Sequence, residues 1–182
     1  GGGVLNVSDG TSFSTGITVE NTGDTHGSVI DFLNNSASPA DNDYIGGLIF
    51  KETNSAGGTH QFAKIFGIAT DITDGTEDGA ITFETSAGGA NTGERMRIDS
   101  SGNVFIGKSA RDFNVAGIDL NVGSDPHFVR AGTVCSFNRL SDDGVIMNIA
   151  QAGSIEGNIS VSGGTVSFNA FSGSHWSRLT DN

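Results

Sequence analysis

Apolar residues along this chain recur at every second position wherever they cluster, and almost nowhere at the three-and-four spacing of a helix face. Ile81 and Phe83 alternate with Thr82 and Glu84, and Met96 and Ile98 with Arg95, Arg97 and Asp99. The same period runs through Ile118, Leu120 and Val122, through Val145, Met147 and Ile149, and through Ile155, Gly157, Ile159 and Val161. Each run predicts a half-buried strand, because successive side chains of a strand point to opposite faces. Between the runs stand Asp78-Gly79, Ser101-Gly102-Asn103, Asp143-Gly144, Gly153 and Gly163-Gly164. Such residues supply the positive φ of a tight reversal, so the strands are expected to be joined as consecutive hairpins.

Phe32, Phe50, Phe66 and Phe83 are 18, 16 and 17 residues apart. Either a true repeat or hairpins of similar length produces that rhythm, and the residues leave both open. Residues 108–117 break the alternation. The chain therefore divides into an acidic β-hairpin region, 1–107, a linker, 108–117, and a Gly/Ser-rich distal β region, 118–182.

Composition narrows the fold. Gly, Ser, Thr and Asn make up 44% of the 182 residues, against 35% hydrophobic and 16% charged. A conventional thick-cored enzyme carries about 25% charged residues and more apolar ones. The 12 Phe and only 2 Pro argue equally against disorder and against collagen. Thin hairpin units bury little by themselves, so copies of the same chain are expected to cover their apolar faces and edges.

The net charge is −12, of which −10 falls in residues 1–91. That sign repels phosphate backbones and anionic membranes, and no apolar run reaches the roughly 18 residues of a spanning helix, so neither nucleic acid nor membrane insertion is expected. The lone Cys135 excludes a disulfide within one chain. Its place between Val134 and Phe137 predicts a buried, inert thiol. Gly1-Gly2-Gly3, without an initiator Met, reads as the cut end of something longer.

Residues 102–109, Gly-Asn-Val-Phe-Ile-Gly-Lys-Ser, match the phosphate-loop pattern G-x-x-x-x-G-K-[ST] letter for letter. Val104, Phe105 and Ile106 nevertheless predict a strand where that pattern needs a loop, so a hairpin is the preferred reading. The acidic stretch 71–79 lacks the ligand spacing of a calcium loop and reads as a solvated turn. His26, His60, His127 and His175 have no partner at metal-ligand spacing, and neither a metal nor a cofactor is expected. No G-x-S-x-G elbow or Ser-x-x-Lys pair is present, so no catalytic residue is nominated. The terminal segment gathers Phe171, His175, Trp176 and Arg178. These aromatics either plug the end of a fibre or stack on sugar faces. Tyr44 is an outside candidate for the same contact.

Two stretches carry a family resemblance. Residues 93–107, Gly-Glu-Arg-Met-Arg-Ile-Asp-Ser-Ser-Gly-Asn-Val-Phe-Ile-Gly, resemble a segment common in bacteriophage tail fibre and virion structural proteins. Residues 41–50 and 78–83 look like the strands that lead into it. Phe105 and Lys108 depart from the family's usual Gly and Thr, and those departures create the phosphate-loop match. The second stretch runs from Phe137-Asn138-Arg139 through Asp143-Gly144 and Gly157-Asn158-Ile159 to Phe168-Asn169-Ala170-Phe171. It is similar to the segment preceding an endosialidase-type intramolecular chaperone, which in that family trimerises the fibre and then cuts itself off. The resemblance implies a processing terminus at Asn182, with the protease residues beyond it.

The expectation is an all-β, elongated, intertwined homotrimeric fibre of short strands, located in the virion tail. As the distal fragment of a phage tail fibre it would bind a bacterial surface receptor, a glycan or outer-membrane component, for host attachment. The runner-up is a tailspike-type polysaccharide depolymerase, and the third reading is a structural fibre spacer.

Overall fold

The computed structural model describes Glu20, residues 27–90 and residues 92–170, and every regular element within them is a β-strand. The chain divides into two compact units between Val129 and Arg130.

The first unit is an antiparallel meander of seven strands whose order in the sheet is their order in the chain. They are β1 (Asp43–Thr53), β2 (Thr59–Asp71), β3 (Asp78–Thr85), β4 (Gly93–Ile98), β5 (Val104–Ile106), β6 (Gly117–Leu120) and β7 (His127–Val129). Local side-chain contacts make the reversals. Between β4 and β5 the Asp99 carboxylate accepts the N–H groups of Ser101 (3.0 Å) and Asn103 (2.8 Å), while Gly102 takes a φ of 79°. Asn103 then ties this turn to the next hairpin by accepting the Val122 N–H at 2.8 Å.

Directly opposed residues of an antiparallel pair share a face. One face therefore carries an unbroken apolar row across all seven strands: Leu48, Ile65, Phe83, Met96, Ile106, Ile118 and Phe128. A second row, starting from the glycine pair Gly46 and Gly67, continues through Ile81, Ile98, Val104 and Leu120. Phe32 reaches this face at Gly46, where a Cβ would collide with its side chain, yet Leu48, Ile81, Ile106, Leu120 and Phe128 are all exposed.

The opposite face carries Gly47, Phe66, Thr82, Arg97, Phe105, Asp119 and His127 in one row. Here Thr82, Phe105, Asp119 and His127 are buried. The alternation is as the sequence predicts, but the burial is inverted. Within one chain it is the polar face that is covered, by its own long side chains and by the segment between β5 and β6.

The second unit is a three-stranded meander of β8 (Gly144–Gln151), β9 (Ser154–Ser162) and β10 (Thr165–Ala170), with β9 in the centre. Its hairpins turn on Ala152-Gly153 and Gly163-Gly164, all four at positive φ. Met147, Ile159 and Phe168 form an apolar row, while Asn148, Asn158 and Asn169 line up on the other face. A bulge at Ile146 sets Val145 opposite Ser160, so Val145 does not join Met147 and Ile149 as the plain alternation predicts.

The compact units divide at 129/130; of residues 108–117, which the sequence reads as a linker, 108–116 lie between β5 and β6 and Gly117 opens β6. Two other expectations are revised. The phenylalanine rhythm reflects strand length rather than a repeat: Phe50 and Phe83 sit on the apolar face, Phe66 on the polar one and Phe32 outside any strand. Cys135 is exposed in a segment without strands, because the alternating run around it finds no pairing partner.

Candidate functional site

Residues 102–109 do not form a phosphate loop. Val104–Ile106 is strand β5, hydrogen-bonded to β4 on one side and β6 on the other, so its backbone groups are committed to the ladder. Lys108 turns inward, away from any phosphate position, toward Asp119. The acidic stretch 71–79 is a turn in which Asp71 accepts the Thr73 N–H at 2.8 Å. That bond, with the Thr73 side chain, holds the Asp71 carboxyl below the usual range. Among the described residues no three His, Cys, Asp or Glu side chains converge as a metal site. His60 contacts Ser86 Oγ at 3.0 Å, whereas His26 and His175 lie outside the described residues.

Of the sequence-nominated contact residues, Tyr44 is described; Phe171, His175, Trp176, Arg178 and the expected terminus Asn182 lie outside the described residues. Tyr44 stands in β1 where the register to β2 shifts, and its ring meets Phe66 edge-on, with centroids 4.9 Å apart. Gly47 makes room for this: a Cβ there would collide with the Phe66 ring edge and the Ile65 carbonyl. Tyr44 remains 55% exposed.

A bulge after Phe83 sets Glu84 opposite Glu94 beside this aromatic pair. Two like charges directly opposed destabilise a sheet unless they are compensated. Lys64 Nζ lies 3.7 Å from Glu84 Oε2, and Thr92 Oγ1 donates to the same oxygen at 2.9 Å. Arg97 grips Glu94 with two parallel bonds, Nε to Oε1 at 3.1 Å and Nη2 to Oε2 at 2.8 Å. Its guanidinium is held charged even more firmly than usual by that contact. Partial burial, then the carboxylates of Glu84 and Glu94, push the Tyr44 phenol above its ordinary value. The result is an exposed Tyr44 ring beside the half-buried Glu94–Arg97 pair, with Glu84 buried against Lys64, the four charges cancelling.

Such a surface can stack a sugar ring on Tyr44 and receive its hydroxyls on carboxylate and guanidinium. Acid–base hydrolysis would require one carboxyl group held protonated. Glu84 and Glu94 instead each sit against a cation.

A second cluster lies further along the polar face. Lys108 Nζ is in direct contact with Asp119 Oδ2, and both side chains are closed to solvent. Asp119 Oδ1 accepts Asn121 Nδ2 at 2.5 Å and lies 3.0 Å from His127 Nδ1. Burial pushes the Asp119 carboxyl up, but its contacts with Lys108, Asn121 and His127 outweigh burial and leave it below the usual range. His127 also reaches the exposed Asp125 through Nε2 at 2.9 Å and packs against Phe113.

Sequence reasoning missed Lys64, Phe66, Glu84, Glu94 and Arg97. Their convergence depends on the bulge after Phe83, which no local pattern marks. No protein-family model matches the chain, and no curated protein matches it.

Proposed function

We propose that this chain is a segment of a phage-type tail fibre that assembles in threes through its apolar sheet faces and offers its polar face to a bacterial surface glycan. The observation that carries this reading is the pair of apolar rows crossing the sheet, in which Leu48, Ile81, Ile106, Leu120 and Phe128 stay exposed among the described residues. Strands lie about 4.8 Å apart, so one row over seven strands beside a second over six makes a patch of the order of 400 Å². A patch of that size marks an interaction surface, and its burial at ~25 cal/mol per Å² contributes about 10 kcal/mol per chain before the costs of association.

Further copies of the chain are the fitting occupants. The rows contain no charged residue, so copies meeting along them bring no like charges together within the rows. The same division into an apolar and an Asn/Ser face recurs in the three-stranded unit, as expected where one association runs along a fibre. The resemblance of residues 93–107 to tail fibre segments supports the virion setting. Three copies per fibre would multiply a weak sugar contact at Tyr44 and at the terminal aromatics into firm attachment.

The depolymerase reading receives no support from the carboxylates beside Tyr44, since each is matched by its own cation. The test of the binding reading is adsorption competition. Purified chain should block attachment of the cognate phage and bind the host's isolated polysaccharide without releasing reducing ends. Binding without blocking would favour a spacer, and release of reducing ends the enzyme.

A further inference from the structure

Lys108 Nζ lies in direct contact with Asp119 Oδ2 and also donates to the Asp112 carbonyl at 3.1 Å, so amine and carboxyl are held together out of solvent. The Lys108 side chain is 1% exposed and that of Asp119 0%. Phe105, directly opposite Asp119 in the sheet, is itself buried. Gly117 supports the approach: a Cβ at this position would stand 3.0 Å from Lys108 Cγ and 2.6 Å from the Ile106 carbonyl, so only glycine lets the lysine stem cross the strand to reach Asp119.

The two carboxylate oxygens are treated differently. Oδ2 faces the amine, whereas Oδ1 accepts a hydrogen bond from Asn121 Nδ2 and has His127 Nδ1 3.0 Å away, a nitrogen that makes no hydrogen bond of its own. A fixed donor on one oxygen of a carboxyl group stabilises the charge that collects there when a nucleophile adds to the carbon. Fixed proximity supplies the effective concentration that amide formation lacks in water.

We propose that Lys108 and Asp119 close an intrachain amide bond. One proton passes from the Lys108 ammonium to Asp119 Oδ2, giving a neutral amine and acid; the contacts that hold the carboxyl below its usual range make this the minor form, and closure to solvent lowers its cost relative to water. The amine lone pair attacks Cγ, and negative charge collects on Oδ1, where Asn121 Nδ2 donates. The Nζ–Cγ bond forms, the Cγ–Oδ2 bond breaks, and Oδ2 leaves as water with two protons originating on the ammonium. One ammonium and one carboxylate thus become one amide and one water, with no oxidant or cofactor. His127 and Asn121 are the groups that touch the reacting carboxyl; Gly117 is a positioning residue. The bond would clamp the hairpin of β5 and β6 and the segment between them. This inference does not depend on the proposed function.

Intact-mass spectrometry of the purified, unfolded full chain tests it. The chain is expected to be lighter than its sequence by one water, and proteolysis should yield a branched peptide joining Lys108 to Asp119. Lys108→Arg should restore the full sequence mass. Asp119→Asn should lose ammonia instead and mature to the same mass as the unsubstituted chain, since both routes give the identical amide. A full sequence mass for the unsubstituted, folded chain would overturn the proposal. So would a lost water that maps to Asp78-Gly79 or Asp143-Gly144, where aspartate dehydrates without lysine.

Discussion

Ile81 and Thr82 are neighbours in β3, yet Ile81 is 46% exposed and Thr82 is completely buried. A soluble single-layer sheet would place them the other way round, because exposing an isoleucine and burying a hydroxyl both cost free energy. Thr82 Oγ1 has no hydrogen-bond partner, which adds to that cost. The arrangement makes physical sense if the face of Ile81 is an interior face of an assembly.

Charge placed on that face should dissolve the assembly. Phe83→Asp or Ile106→Asp would bury an unpaired carboxylate against sister chains, at a penalty of roughly 3 kcal/mol or more per chain. Light scattering of either variant is expected to give single chains where the unsubstituted protein gives an oligomer.

Tyr44 is the only tyrosine, so ultraviolet titration reads it without assignment. Its ionisation midpoint is expected above the ordinary value of about 10, and Glu84→Gln should bring it down. Because the folded phenol holds its proton more tightly than the unfolded one, its stabilising contribution is present below the ordinary value and is lost as pH rises through the raised one. A midpoint at or below that of free tyrosine would remove the carboxylate-bordered platform from the account.

Gly47→Ala is expected to lower stability by roughly 1–3 kcal/mol, since the added methyl must displace the Phe66 ring or the β2 backbone. The shift of the urea midpoint measures it. Binding should fall in parallel, because Tyr44 leans on Phe66.

Tyr44→Ala should weaken adsorption to host cells by about tenfold or more, the value of one lost stacking contact of ~1–3 kcal/mol, while the oligomer persists. The matching substitution Trp176→Ala compares the two candidate surfaces: the larger loss identifies the principal sugar contact. Loss of the oligomer on Trp176→Ala would make that residue a structural plug.

Period-two alternation made β3, β4, β6, β8 and β9 legible, since side-chain direction in a strand is a local property. Which face is covered was not legible, because covering depends on what packs from outside the strand. The bulges at Ile146 and after Phe83 were invisible for a related reason: an extra residue in one strand acquires meaning only from the partner's register. Cys135 was misread because local alternation does not guarantee a pairing partner. For the Lys108–Asp119 contact a faint signal existed. Asp119 stands between Ile118 and Leu120, a charged residue at an alternating position. Its lysine partner was drawn instead into a chance phosphate-loop match.

The central claim is that the apolar sheet face belongs inside an assembly of identical chains. Size-exclusion chromatography with multi-angle light scattering measures this directly on the full chain of 18.6 kDa. A single species of three chain masses, independent of loading over a wide concentration range, is the predicted result. A stable monomer with the face of Leu48, Phe83 and Phe128 open to water would contradict it.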